Sequence, residues 1–179
     1  MIIFITGTPG TGKTTVSRLL EEQLSFKRVD INQLVEDEKI FSGYDEEWGY
    51  KIVDIPSLCR ALTDIIGKSR GDLLVEGHLS HFCEGADWVV VLRTNPTVLE
   101  NRLRNKGFKD SKVRENIIAE ALDICAFEAF QKYQDKSNEI DTTDKTPQEI
   151  VEIIKKIIKG EKSYPVGEVD FSDYFYVQK

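Results

Sequence analysis

Gly7, Gly12, Lys13 and Thr14 stand at the fixed places of the pattern G-x-x-x-x-G-K-[ST], within the run Gly7-Thr8-Pro9-Gly10-Thr11-Gly12-Lys13-Thr14. The glycines let the backbone curl until successive N–H groups point inward at phosphate oxygens. Lys13 can then reach the β- and γ-phosphates of a nucleotide, and the Thr14 hydroxyl can ligate Mg²⁺. The competing reading is a glycine-rich turn ahead of a helix. The flanking residues favour the phosphate site: Met1-Ile2-Ile3-Phe4-Ile5 is an apolar, β-prone run, and Thr15-Val16-Ser17-Arg18-Leu19-Leu20 opens a helical pattern. A helix N-terminus behind the loop adds partial positive charge where an anion would sit.

The remaining chain alternates strand-like and helix-like segments, the pattern of a parallel sheet covered by helices on both faces. Strands are expected at about 2–6, 27–31, 72–76, 87–92 and 139–142, which makes five. Helices are expected at about 14–24, 56–67, 96–105 and 112–134, the second and third each opening on a proline, Pro56 and Pro96. Residues 38–52 read as an insertion with little regular structure. Thr146-Pro147-Gln148-Glu149 gives an N-cap, a first-turn proline and a capping glutamate, and Ile150, Ile153, Ile154, Ile157 and Ile158 line one face of the helix that follows. Gly160 ends it, and 161–179 is an acidic, aromatic tail able to dock on its own domain or on a partner.

The 179 residues suit one domain with a sizeable core, and 40% hydrophobic with 31% charged residues describes a globular chain. No stretch approaches the ~20 apolar residues that cross a bilayer. The loop at Gly7 leaves no room for a cleavable leader, so a cytoplasmic protein with no membrane partner is expected. Cys59, Cys83 and Cys125 lie far apart and read as small buried hydrophobes in a reducing compartment. A net charge of −7 argues against a broad nucleic-acid footprint and against sequence-specific DNA binding. Charge is uneven: residues 36–54 carry seven acids and two lysines, whereas 102–115 carry six bases and two acids. Either run reads by default as a solvated face.

A phosphate loop names a triphosphate and leaves the reaction open. The guanine-reading N-K-x-D is missing, and small-molecule kinases fit the length. A hydroxyl acceptor benefits from a carboxylate base, whereas a nucleoside monophosphate is already a dianion at neutral pH and needs positive charge and positioning instead. On Gly7–Thr15, Gly43-Tyr44-Asp45-Glu46-Glu47, Val75-Glu76-Gly77-His78, Val91-Leu92-Arg93-Thr94, Arg102-Leu103 and Lys106-Gly107-Phe108, the chain from 1 to about 159 resembles the adenylate kinase isoenzyme six family, the archaeal and eukaryotic adenylate kinase-like ATPases.

The resemblance implies a P-loop nucleoside-monophosphate-kinase fold over 1–160, with a monophosphate-binding insertion near 30–53 and a short lid near 105–115, followed by the tail 161–179. It implies ATP contacts from Gly10, Gly12, Lys13, Thr14, Thr15, Lys106 and Lys145, with Arg102 and Arg104 as further basic candidates of the lid. Catalytic roles fall on Lys13, Glu76 and His78: Glu76 can hold Mg²⁺ through water together with Thr14, and His78 can orient an attacking water. A hydrogen-bonded core histidine is the plainer reading of His78. His81 and Cys83 raise the question of a metal cluster, but two histidines and one cysteine make a poor zinc set.

Two departures stand out. The family usually has aspartate-x-histidine where this chain has Glu76 and His78, and Lys106 stands where an arginine is usual, losing the bidentate fork. The loop after Glu76 also lacks the arginine that ordinary adenylate kinases aim at the acceptor phosphate, and Lys39, Lys51, Arg60 and Arg93 are the candidate substitutes. The expected activity is ATP + AMP to two ADP, with ATP hydrolysis beside it. The resemblance also implies a role in small-subunit ribosomal RNA maturation through a small-subunit ribosomal protein or a pre-ribosomal particle, and the acidic 36–54 segment suits a basic client. The alternative is a kinase of a small hydroxylated metabolite, of the shikimate kinase sort, with Asp30 binding the acceptor.

Overall fold

The computed structural model describes residues 1–45 and 50–177. The chain runs through β1 (Ile2–Thr6), α1 (Lys13–Leu24), β2 (Lys27–Asp30), α2 (Ile31–Asp37), β3 (Phe41–Asp45), β4 (Tyr50–Val53), α3 (Ile55–Lys68) and β5 (Leu73–Glu76). It continues with β6 (Trp88–Arg93), α4 (Pro96–Asn105), α5 (Asp110–Ala121), α6 (Ile124–Tyr133), β7 (Ser137–Asp141), α7 (Pro147–Ile158) and α8 (Tyr174–Val177). Five strands form one parallel sheet in the order β2-β5-β1-β6-β7. That is the five-stranded α/β architecture expected from the alternation of elements.

The two-residue period of the strands divides the core. Ile3 and Ile5 of β1 join Leu74, Val90 and Leu92 on one face, where α1 and α7 cover them with Val16, Leu20, Ile150 and Ile154. Phe4 joins Val75, Val89 and Val91 on the other, under α2, α3 and α6. Side chains stop the helix ends from fraying: Asp54 accepts from Ser57 N at the start of α3, Asn95 caps α4, and Thr146 with Glu149 forms the reciprocal capping box of α7. The order puts β1 at the centre, so the loop after it lies between the C-terminal ends of β5 and β6. In such sheets that is where ligands bind.

Three features depart from the sequence reading, and a fourth, the place of the tail, was left open by it. Residues after Lys39 form an antiparallel hairpin of β3 and β4 that stands apart from the main sheet. Glu46 and Glu47 of the acidic motif lie outside the described residues. The long helix expected over 112–134 is two helices, because Asp123 takes a left-handed backbone (φ 57°) and the Glu120 carbonyl turns to accept from Arg93 Nη2 at 2.9 Å. Cys59 and Cys83, 24 residues apart, form a disulfide with Cα atoms 4.8 Å apart, because α3 packs over the turn that follows β5. The tail docks on its own domain: Glu139 N donates to Tyr164 O at 2.8 Å, Gly167 N and Val169 N donate to Glu139 Oε1, and Tyr174 packs against Leu99, Leu103, Val113 and Ile117.

Ile154 is fully buried at the centre of the isoleucine stripe. Ile154→Ala is expected to cost about 2–5 kcal/mol, read from the midpoint of urea unfolding with the slope unchanged.

Candidate phosphate-binding active site

Gly7 leaves β1 at φ +126°, and a Cβ there would sit 2.3 Å from the Leu92 carbonyl oxygen, so the first turn of the loop requires glycine. Thr11 Oγ1 donates to Thr8 O at 3.0 Å and fixes the curl. No side chain caps the N-terminus of α1, so its first amides remain directed at the space in front of the loop. Lys13 folds back, donating from Nζ to Gly7 O at 2.7 Å and Thr8 O at 3.0 Å. Burial pulls its ammonium down to about 8, against the opposing influence of Cys125, Glu76 and Glu120.

Two adjoining cavities open on the loop. One of about 400 Å³ runs between the loop, the end of α4 and the start of α7, and Gly10, Gly12, Thr15, Arg102, Lys106 and Lys145 line it. The other, of about 180 Å³, shares Gly10, Gly12, Thr15 and Lys106 and adds Lys13, Thr14, Asn32, His78 and Phe108. Every residue expected to touch ATP therefore borders one of these two spaces. Arg102 is steadied there by contacts to Thr94 Oγ1 and Thr142 O, each at 3.3 Å. Arg104 is not brought in: it pairs with Glu100 at 2.9 Å and with Asp110 on the exposed side of α4.

Glu76 ends β5 and is buried. Arg28 Nη1 donates to its Oε1 at 2.7 Å, and the Thr14 hydroxyl is near enough to its carboxylate to favour the charged form. Burial and the nearby Asp30 push its pKa up, while Thr14, Arg28 and Lys13 hold it down. A hydroxyl and a carboxylate side by side are hard oxygen donors, and they fit Mg²⁺, which keeps water and takes phosphate oxygens as further ligands. Among the described residues no group of three or more His, Cys, Asp or Glu could hold a metal unaided. His78 lies two residues beyond Glu76, and burial, with Lys13 next, pushes its pKa down to about 4. It is a neutral imidazole at pH 7, able to hold water by hydrogen bonding and weak as a proton acceptor.

Several candidates are engaged elsewhere. His81 meets Thr6 and Glu128, and Cys83 is in the disulfide. Arg93, offered as an acceptor-phosphate contact, is 1% exposed and bound by Glu120, Asp123 and Glu139. Lys51 pairs with Glu36, and Arg60 donates to Ser57 Oγ at 2.8 Å. Asp30 caps α2 through Oδ1, which accepts from Asn32 N and Gln33 N, and its Oδ2 lies 3.5 Å from Arg28 Nη1.

Sequence reading missed Glu120. Its carboxylate accepts from the Thr8 hydroxyl of the loop, from Arg93 Nε at 2.9 Å and from Thr94 N at 2.9 Å. The signal was there: Val113, Ile117, Glu120 and Ala121 share the buried face of α5, and a carboxylate on an apolar face needs a partner.

Residues 3–123 match the family model described as "AAA domain". A protein of Methanothermobacter thermautotrophicus named "Putative adenylate kinase" is 40% identical over 97% of this chain and 98% of its own. One of the same name from Methanocaldococcus jannaschii is 38% identical over 98% and 96%. Among solved structures, the fold is similar to shikimate kinase from Bacteroides thetaiotaomicron (TM-score 0.61, 18% identity, 89% of this chain and 98% of that one). It is also similar to a gluconokinase from Sinorhizobium meliloti (TM-score 0.56, 16% identity, 99% and 97%).

The Lys13 value sets a pH dependence. Free Lys13 loses its proton as pH rises through about 8, whereas a bound triphosphate stabilises the charged form. ATP affinity measured by calorimetry is therefore expected to be level below pH 7 and about tenfold weaker by pH 9. An unchanged dissociation constant from pH 7 to 9 would contradict the assignment.

Proposed function

The chain belongs to the adenylate kinase-like family of P-loop kinases, and on that premise we propose that it transfers the terminal phosphoryl group of ATP to AMP, forming two ADP, and hydrolyses ATP more slowly. The observation that carries the reading is the composition of the smaller cavity. It gathers Lys13, Lys106, Thr14, Asn32 and His78 at the loop, with no aspartate or glutamate among its described lining residues. A hydroxyl acceptor calls for a carboxylate base. A phosphate dianion attacks without one and needs the cations. The alternative hydroxyl-acceptor reading placed Asp30 at the acceptor; its Oδ1 caps α2, and the residue does not line this cavity. The likeness to shikimate kinase concerns the fold alone.

In this reading the adenosine of ATP occupies the larger cavity beside Arg102 and Lys145, and the triphosphate lies across the amides of Gly10–Thr14. Lys13 leaves the Gly7 and Thr8 carbonyls for the phosphates and, with Lys106, offsets charge on the transferred group. Mg²⁺, when bound beside Thr14 and Glu76, supplies further charge neutralisation. Half-buried, neutral His78 orients a water for the hydrolytic branch. A second reading, in which the protein acts in small-subunit ribosome maturation as members of the isoenzyme six family do, is supported by the acidic segment 36–54, where β3 and β4 leave Phe41, Tyr44 and Ile52 exposed to a basic ribosomal-protein client.

Coupled assays with AMP, water alone and hydroxylated acceptors are expected to give ADP formation that depends on AMP. Robust hydrolysis with no AMP dependence would remove the phosphotransfer reading. Lys13→Ala is expected to lower both activities at least about 100-fold. His78→Ala is expected to lower hydrolysis about tenfold and transfer to AMP less than about threefold, and equal losses would contradict the water-orienting role.

A further inference from the structure

His81 is 1% exposed, and the chemistry above makes no use of it. Its Nδ1 lies 2.7 Å from Thr6 Oγ1, and its Nε2 lies 3.1 Å from Glu128 Oε2. Thr6 Oγ1 is also 3.3 Å from the carbonyl oxygen of His78. These groups join three pieces of the fold: the end of β1 where the phosphate loop begins, the 3-10 turn Ser80–Phe82 that follows His78, and α6.

Counting protons gives the relay a direction. Burial pushes the His81 pKa down against the opposing pull of Glu128, and Lys132 on α6 and Lys13 on α1 push the same way as burial, so the ring carries one N–H. An ionised Glu128 can only accept. The proton must then sit on Nε2, which leaves Nδ1 bare, and a bare Nδ1 buried at 2.7 Å from a hydroxyl must accept from it. The single proton of Thr6 points at His81, and the longer 3.3 Å separation to the His78 carbonyl agrees with that. The opposite tautomer would set a bare nitrogen against a carboxylate. Thr6 is bonded to Gly7, whose carbonyl receives Lys13 at 2.7 Å. The Thr6–His81 bond thus ties the start of the phosphate loop to the turn that follows His78.

We propose that Glu128 and His81 act as positioning residues through Thr6: Glu128 holds His81 on its Nε2–H tautomer, His81 orients the Thr6 hydroxyl, and the three together set the phosphate loop against the segment that carries His78. A buried polar chain matched at each end fixes direction as well as distance, which an apolar side chain at residue 81 would not do. The inference rests on His78 orienting the water of hydrolysis, and its tautomer readout does not depend on which acceptor the enzyme uses.

His78 and His81 are the two histidines of the chain, so ¹⁵N-histidine NMR resolves two rings. Wild-type His81 is expected to show a protonated Nε2 and a bare Nδ1, and Glu128→Gln, which lets residue 128 donate as well as accept, is expected to mix the tautomers. Thr6→Val, a β-branched isostere in a strand, is expected to lower kcat for ATP hydrolysis about tenfold with KM for ATP within about twofold, and Thr6→Ser to restore it. A wild-type ring protonated on Nδ1, or a folded Thr6→Val enzyme with undiminished kcat, would overturn the proposal. If Thr6→Val does not fold, Glu128→Gln decides: partly exposed at the surface, it must alter both the tautomer and kcat, and unchanged values overturn the relay. Loss of AMP dependence with hydrolysis and tautomer as expected would strike the phosphotransfer reading alone.

Discussion

A guanidinium with almost no access to water sits at the C-terminal end of β6, and the active end of the molecule is assembled around it. Arg93 donates to Glu120 at 2.9 Å and Glu139 at 3.1 Å, reaches Asp123 and the Glu120 carbonyl, and lies 5.3 Å from the ring centre of Phe171. Taking such a charge out of water costs several kcal/mol, which only well-placed partners offset. Those partners come from α5, the α5–α6 corner, β7 and the tail. Satisfying one cation therefore fixes where four parts of the chain must meet. The second oxygen of Glu120 accepts from Thr8, so the same requirement extends to the phosphate loop.

This arrangement explains why the loop holds its form. Gly7 can make its turn only because no side chain meets the Leu92 carbonyl, and Leu92 belongs to the strand that Arg93 ends. Thr142 Oγ1, within 2.8 Å of Arg93 O and 3.2 Å of Thr11 O, ties the far side of the loop to the end of β7. Loop amides held in this way need no reorganisation to meet a phosphate, which is what makes fixed dipoles effective in stabilising transferred charge.

The α4–α5 pair and the tail share one apolar cluster. Leu99 and Leu103 of α4 crowd Gly10 so closely that a Cβ there would lie 2.8 Å from Leu99 Cδ1, and the other side of the cluster is covered by Tyr174. Arg102 and Lys106, which border the cavities, are carried on the same helix end. The positions of these cations thus depend on packing that reaches from the phosphate loop to the last described turn of the chain. Electrostatics at the loop follows the same logic of burial: Lys13 is weakened as a cation and His78 is kept neutral because both are partly withdrawn from water.

Local chemistry was enough to read the phosphate loop, the five parallel strands, the paired prolines at helix starts and the Thr146–Glu149 cap, because each depends on residues a few positions apart and on periods of two or 3.6. The same local reading set Lys106 and Lys145 beside the loop through a resemblance, and it offered Arg93 as one of four candidate contacts to an acceptor phosphate and put 112–134 in one helix. The structure departs from that candidate and from that helix for one reason. Whether Arg93 is free or buried is decided by Glu120, Asp123 and Glu139, which lie 27 to 46 residues away, and the same pull on the Glu120 carbonyl interrupts the helix at Asp123. The hairpin after Lys39, the Cys59–Cys83 bond and the chain from Thr6 through His81 to Glu128 are likewise properties of distance in space. Residue type fixed what each group is able to do, and the packing of remote segments, by choosing which groups lose water together, decided what each one does.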